Sequence, residues 1–154
     1  MTTGRRAPRI LIIHGPNLNM LGRRDASWYG RSTLEEINAE IRQAAHVLGM
    51  EAETFQSNHE GAIVEKLQQA VSGYDAVIIN PAAYTHTSIA IRDALEILDI
   101  PVIEVHLSNI YKREAFRHWS FVADVATARI AGFGKAGYIM AVEAIAKMVG
   151  RTQS

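Results

Sequence analysis

The chain has 154 residues, 48% of them apolar, with 16 basic and 16 acidic side chains and no cysteine. That length suits one soluble domain able to bury about 70% of its unfolded surface, and the balanced charge argues against the basic footprint of a nucleic-acid binder. Without cysteine, disulfides, thiolate zinc sites and thiol nucleophiles are all excluded.

Residues 1–9 read as a loose, polar, basic tail. The apolar run behind them, 10–13, is too short for a signal-peptide core or a membrane span, so a cytoplasmic location is expected. No repeat, low-complexity stretch or linker follows, which predicts a single domain over 10–150 and a short tail at 151–154. Short β-branched runs alternate with longer stretches of helical period, the pattern of a parallel sheet covered on both faces. Strands are predicted at 10–14, 52–56, 76–80, 102–106 and 126–131.

The first long helix carries Leu34, Ile37, Ile41, Ala44 and Leu48 as one apolar stripe, with Ser32 and Glu35 as a capping box and Gly49 as terminator. A second helix runs over 60–71 on Ile63, Leu67 and Val71, and a third over 88–98 on Ile91, Ala94, Leu95 and Leu98. The last uses Tyr138, Val142, Ile145 and Val149 and is expected to end at Gly150. Five βα units with right-handed crossovers predict a flavodoxin-like five-stranded parallel sheet, order 2-1-3-4-5, with helices on both faces.

Open parallel sheets bind ligands beyond the carboxyl ends of their strands, where the strand order reverses. Four strand exits are polar there: His14 to Asn17, Ser57 to Glu60, Asn80 to His86, and Ser108 with Asn109. Turn chemistry alone also explains such residues. On the fourth strand, alternation puts Glu104 and His106 on one face, and a carboxylate beside an imidazole fixes its tautomer and prepares an acid or base. The other reading is a satisfied polar pair. No HxH or HExxH spacing supports a zinc site from His14, His86 and His106 with Glu104.

The segment from Leu18 to Gly30 is long enough for a lid, and within it Arg24 and Tyr29 can approach each other. A close guanidinium favours an ionised phenol, which is a competent base for a carbon-bound proton. A solvated loop anchored by a tyrosine is the alternative. Arg113 and Arg117, four apart, would line one side of a helical turn and suit an anionic or polyhydroxylated substrate, or form a solvated face. None of the lysines, Lys66, Lys112, Lys135 and Lys147, sits at an apolar strand end, so imine catalysis lacks a candidate.

Six blocks then stand in order: GPNLNMLG (15–22), RRDASWYG (23–30), QSNHEG (56–61), NPAAYTHTSIAIRDAL (80–95), IEVHLSN (103–109) and GFGKAGY (132–138). Through them the chain resembles the type II 3-dehydroquinate dehydratases over 10–149. The resemblance implies reversible dehydration of 3-dehydroquinate to 3-dehydroshikimate, with no metal, cofactor or imine. It implies Tyr29 as base with Arg24 holding it ionised, and Asn17 holding a water that stabilises an enolate. His106 would be the acid, supported by Glu104. Asn80, Ser108 and the backbone at Leu107 would bind the substrate carboxylate, His86 and Arg117 the ring hydroxyls, and Arg113 would close the lid. Asp93 would reach a neighbouring subunit's site in a dodecamer built from trimers. Where relatives often carry Glu-Pro after the arginine, this chain has Asp25 and Ala26, and Trp28 precedes the tyrosine, which predicts a looser lid.

A flavin or nucleotide binding module on the same fold is the alternative reading. Against it, the first turn lacks GxxxxGK[ST] and Pro16 removes a backbone donor. A phosphoacceptor receiver would need an acidic residue where Asn80 stands.

Overall fold

The structure, a computed structural model, describes residue 4 and residues 6–153. Strands β1 (Arg9–His14), β2 (Glu51–Gln56), β3 (Ala76–Asn80), β4 (Val102–His106) and β5 (Ala128–Ala131) form one sheet in the order β2-β1-β3-β4-β5. Every neighbouring pair is parallel, so the flavodoxin-like arrangement expected from the sequence is the one observed. Among the described residues the α-helices are α1 (Ala26–Tyr29), α2 (Leu34–Val47), α3 (Glu60–Gln69), α4 (Ile89–Glu96) and α5 (Ala136–Gln153).

Strand alternation sorts the core into two layers. Ile10, Ile12, Ile78, Ile103 and Val105 face α2 and α5, where Ile37, Ile41, Tyr138, Val142 and Ile145 meet them. Leu11, Ile13, Val77, Ile79 and Val102 face Ile63, Leu67, Ile91 and Leu95 of α3 and α4. Each fully buried Leu or Ile contributes about 1.5–3 kcal/mol, which makes the sheet a rigid platform for whatever its strand ends carry.

Several expected boundaries move. The cap of α2 is Thr33 with Glu36: Thr33 Oγ1 accepts from the Glu36 N–H at 3.2 Å and Glu36 Oε2 accepts from the Thr33 N–H at 3.3 Å. Both this pair and Ser32 with Glu35 satisfy the capping pattern, so spacing could not separate them. Ala45 rather than Leu48 takes the last buried place on α2, and Leu48 is its half-exposed C-cap. Gly49, at φ 77°, ends that helix as expected. Helix α3 stops at Gln69, which leaves Val71 exposed. Residues 122–126 close a turn through Val125 and Ala126 N–H bonds to the Val122 carbonyl, so β5 starts at Ala128 instead of at 126.

At the ends, Arg9 belongs to β1 rather than to the expected tail, its N–H bonded to Asp75 Oδ2 at 2.8 Å. Residues 1–3 and 5 of that tail lie outside the described residues. Helix α5 continues through Gly150 to Gln153, because Gly150 does not take the left-handed backbone that makes a glycine a terminator. The C-terminal tail expected at 151–154 is therefore helical as far as Gln153. Among the described residues, no helix is long and apolar enough to cross a membrane.

Candidate active site

The strand order reverses between β1 and β3, whose last residues, His14 and Asn80, are register partners. Immediately beyond them the two exits touch. The Gly15 N–H donates to the Asn80 carbonyl at 2.8 Å, and a Cβ on Gly15 would stand 2.3 Å from the Pro81 carbonyl oxygen. Only glycine fits that crossing. Asn17 follows in the left-handed region, φ 68°, with its N–H donating to Asn58 Oδ1 at 2.9 Å.

A cavity of about 140 Å³ opens at this rim. Ten of the twelve expected site residues line it: Asn17, Arg24, Tyr29, Asn80, His86, His106, Leu107, Ser108, Arg113 and Arg117. Glu104 stands behind His106 rather than in the wall, and Asp93 lies exposed on α4, away from this cavity. The exit of β2 does not reach the wall; instead the Ser57 N–H donates to the His14 carbonyl at 3.1 Å and Asn58 backs the first turn through Asn17. In the same supporting layer, Gln56 Nε2 donates to the Gly15 carbonyl at 3.2 Å.

His106 Nε2 donates to Glu104 Oε2 at 2.6 Å, with both side chains at most 6% exposed. Thr85 Oγ1 and Ser120 Oγ donate to the same oxygen at 2.6 and 2.9 Å. Burial opposes a charge on Glu104, yet the hydrogen bonds from His106 and Thr85, with the Arg129 cation, hold its carboxyl below the ordinary carboxylate range. An ionised Glu104 fixes the Nε2–H tautomer of His106, so Nδ1 is the ring nitrogen left for a ligand. Thr85 and Ser120 escaped the sequence reading. Thr85 sits in the expected turn after β3, but nothing in the sequence brings Ser120 beside it.

Tyr29 is the last residue of α1. Asp25 Oδ1 caps that turn, accepting from the Ser27 N–H at 2.9 Å and Ser27 Oγ at 2.6 Å, and Gly30 at φ 75° ends it. The phenolic oxygen accepts from Arg113 Nη1 at 2.7 Å, while the Arg24 guanidinium lies 3.6 Å from the ring centroid, over its face. The expected partner of the oxygen was Arg24. The structure gives that contact to Arg113 and makes Arg24 a cation stacked on the ring.

Arg113 and Arg117 do not share one helical turn. They fall in two short 3₁₀ turns, Ile110–Lys112 with Arg113 as its cap and Ala115–Arg117, yet both still reach the cavity. Burial, opposed by Tyr29, and the nearby cations Arg113 and Arg117 lower the proton affinity of the Arg24 guanidinium. Three crowded cations around a small cavity favour an anionic occupant. His86 donates from Nδ1 to the Trp119 carbonyl at 2.7 Å, leaving Nε2 as an acceptor. Its pKa is lowered, first by burial and then, against that hydrogen bond, by the charges of His106 and Arg117.

Behind the wall, Asn80 Nδ2 donates to the Tyr138 hydroxyl at 3.0 Å, and that hydroxyl pairs with His14 Nδ1 at 2.9 Å. His14 Nε2 donates to Asn38 Oδ1 at 2.7 Å. Burial dominates over the Asn38 bond and lowers the His14 pKa to about 4, so the ring is neutral near pH 7. Asn80 Oδ1 accepts from the Ala82 N–H at 3.0 Å, which sets the amide's orientation and aims its second N–H outward. His14 serves as scaffold and does not line the cavity. Among the described residues no group of three or more His, Asp or Glu side chains is arranged to hold a metal ion.

The sequence model of the class II dehydroquinases matches residues 8–146. The chain belongs to this family. A 3-dehydroquinate dehydratase of Roseiflexus castenholzii is 56% identical over 135 residues, covering 88% of this chain and 86% of its own. One from Desulforudis audaxviator is 50% identical over 143 residues, 93% and 95% of the two chains. The type II dehydroquinase structure from Propionibacterium acnes superposes with a TM-score of 0.89 at 41% identity, over 94% of this chain and 99% of that one. Class II dehydroquinases are lyases, and this chain is an enzyme of that family, which sets aside the flavin or nucleotide module.

Proposed function

We propose that this dehydroquinase interconverts 3-dehydroquinate and 3-dehydroshikimate by an anti elimination, with Tyr29 as base and His106 as acid. The observation that carries this reading is the pairing of each group inside one cavity. The Tyr29 oxygen is held by Arg113 at 2.7 Å, and His106 is held by Glu104 at 2.6 Å.

Ionised Tyr29 takes the proton from the carbon beside the ketone, and the bonding pair moves into an enolate. Arg113 at the oxygen and Arg24 on the ring face stand where they stabilise the negative phenolic oxygen before the transfer. Asn17 holds the water that donates to the enolate oxygen. When the ketone re-forms, the pair expels the hydroxyl from the next carbon and the His106 imidazolium protonates it, so that water and a conjugated enone leave. Tyr29 then returns its proton to solvent and His106 regains one.

The second N–H of Asn80, the Ser108 hydroxyl and the Leu107 backbone hold the substrate carboxylate, while His86 and Arg117 take the ring hydroxyls. Arg113 joins the lid, through Tyr29, to Ser108, which it approaches at 3.5 Å. The exposed Asp93 serves a neighbouring subunit's site, in a dodecamer of trimers whose mass light scattering would report.

The test is direct. Purified protein mixed with 3-dehydroquinate should raise ultraviolet absorbance as the enone forms, and Tyr29→Phe should lose nearly all turnover while retaining substrate affinity. A wild-type chain that produces no enone refutes the function; a Tyr29→Phe variant with ordinary turnover refutes the base.

A further inference from the structure

Glu104 and Arg129 are register partners across β4 and β5, so their side chains leave the sheet on the same face. Arg129 Nε lies 3.1 Å from Glu104 Oε1, with the two side chains 19% and 0% exposed. The other carboxylate oxygen, Oε2, is already taken by His106, Thr85 and Ser120. Oε1 receives no aligned hydrogen bond among the described residues, so what faces it is the charge of the guanidinium. At its outer end Arg129 Nη1 donates to the Tyr111 hydroxyl at 2.9 Å, which anchors the side chain over the strand.

This division between the two oxygens has a chemical consequence. With Oε2 occupied by three donors, a proton on Glu104 would have to sit on Oε1, and a neutral Glu104 would give the His106 imidazolium no counter-charge. A guanidinium at Oε1 opposes that protonation and also fixes which oxygen turns to His106. We propose that Arg129 is a positioning residue for the acid: it holds Glu104 as an oriented carboxylate and acts on the reaction only through Glu104 and His106. The inference rests on the reading of His106 as the acid. The charged and titratable groups facing Glu104 are His106 on its own strand and Arg129 on β5, with His86 also within electrostatic reach. Thr85 and Ser120 are uncharged.

The experiment compares Arg129→Met and Arg129→Lys with wild type in 3-dehydroquinate dehydration, measuring kcat and KM from about pH 4 to 9. Removing one charge from within ~4–6 Å shifts a carboxylate by roughly a unit or more. Arg129→Met is therefore expected to move the acidic limb of kcat to higher pH by about one unit, a loss of up to about tenfold on that limb, with kcat near neutral pH and KM little changed. Arg129→Lys restores most of both. If Arg129→Met does not fold, Arg129→Gln, which keeps an N–H donor at the place of Nε but loses the charge and the reach to Tyr111, carries the same expectation. An unmoved acidic limb, whether kcat near neutral pH is ordinary or lowered, overturns the proposal. Ordinary turnover by His106→Gln would instead refute the acid assignment on which it stands, whatever the Arg129 variants do.

Discussion

Replacing Glu104 by Gln tests how much of the activity depends on a buried charge rather than on shape. The carboxylate is fully buried and accepts from His106, Thr85 and Ser120 on one oxygen. The amide keeps the volume and one carbonyl oxygen but removes the counter-charge that stabilises a His106 imidazolium. A hydrogen bond to a charged partner is worth about 1.5–3 kcal/mol. If that contribution is needed when His106 protonates the leaving hydroxyl, kcat falls about 10- to 150-fold, at roughly 1.36 kcal/mol per decade. KM should change little, since Glu104 does not line the cavity. The amide also leaves Arg129 without its ionised partner, so a fall in melting temperature of a few degrees accompanies the loss, at about 2–4 °C per kcal/mol for a domain of this size. The assay is initial-rate absorbance of the enone beside a thermal melt. A Glu104→Gln enzyme within about threefold of wild-type kcat would refute the reasoning, because it would show that His106 works without the carboxylate.

Three further outcomes follow from the scaffold. His14 has its pKa lowered to about 4 in the fold, against an ordinary value of ~6.5 in the unfolded chain. The stability held by its neutral form is complete above pH 6.5 and is lost as the pH falls toward 4, up to about 3 kcal/mol. Denaturation midpoints between pH 7 and 4 should therefore fall less steeply in His14→Gln than in wild type; equal slopes would contradict the assignment. Gly15→Ala should cost about 3 kcal/mol or more by forcing the exits of β1 and β3 apart, given a Cβ 2.3 Å from the Pro81 oxygen; an unchanged melt would contradict it. Ala82 occupies the left-handed region at φ 53°, so Ala82→Gly should raise stability by up to about 1 kcal/mol, a gain the same melt would register.

The sheet was legible because β1, β3 and β4 are short runs rich in β-branched residues and each long helix carries an apolar stripe, patterns set by local periodicity. Where helices ended was less legible: Thr33 and Ser32 offer the same capping pattern, and Gly150 terminates nothing because its backbone stays helical. The pairing of His106 with Glu104 could be read from two-residue alternation alone. The partner of Tyr29 could not. Arg24 is close in the chain and stacks on the ring, but the donor to its oxygen is Arg113, 84 residues away. Arg129 was invisible for the same reason, since only the register of β4 with β5 places it opposite Glu104. Contacts fixed by strand register or by a folded-back turn leave no spacing in the sequence.

The central claim is a division of labour, with Tyr29 breaking a carbon–hydrogen bond and His106 a carbon–oxygen bond. Incubating single variants with 3-dehydroquinate in D₂O and following the hydrogen beside the ketone by NMR separates the two steps. His106→Gln should exchange that hydrogen for deuterium while forming little enone, and Tyr29→Phe should do neither. Exchange that persists in Tyr29→Phe, or is absent from a folded, substrate-binding His106→Gln, would contradict the division.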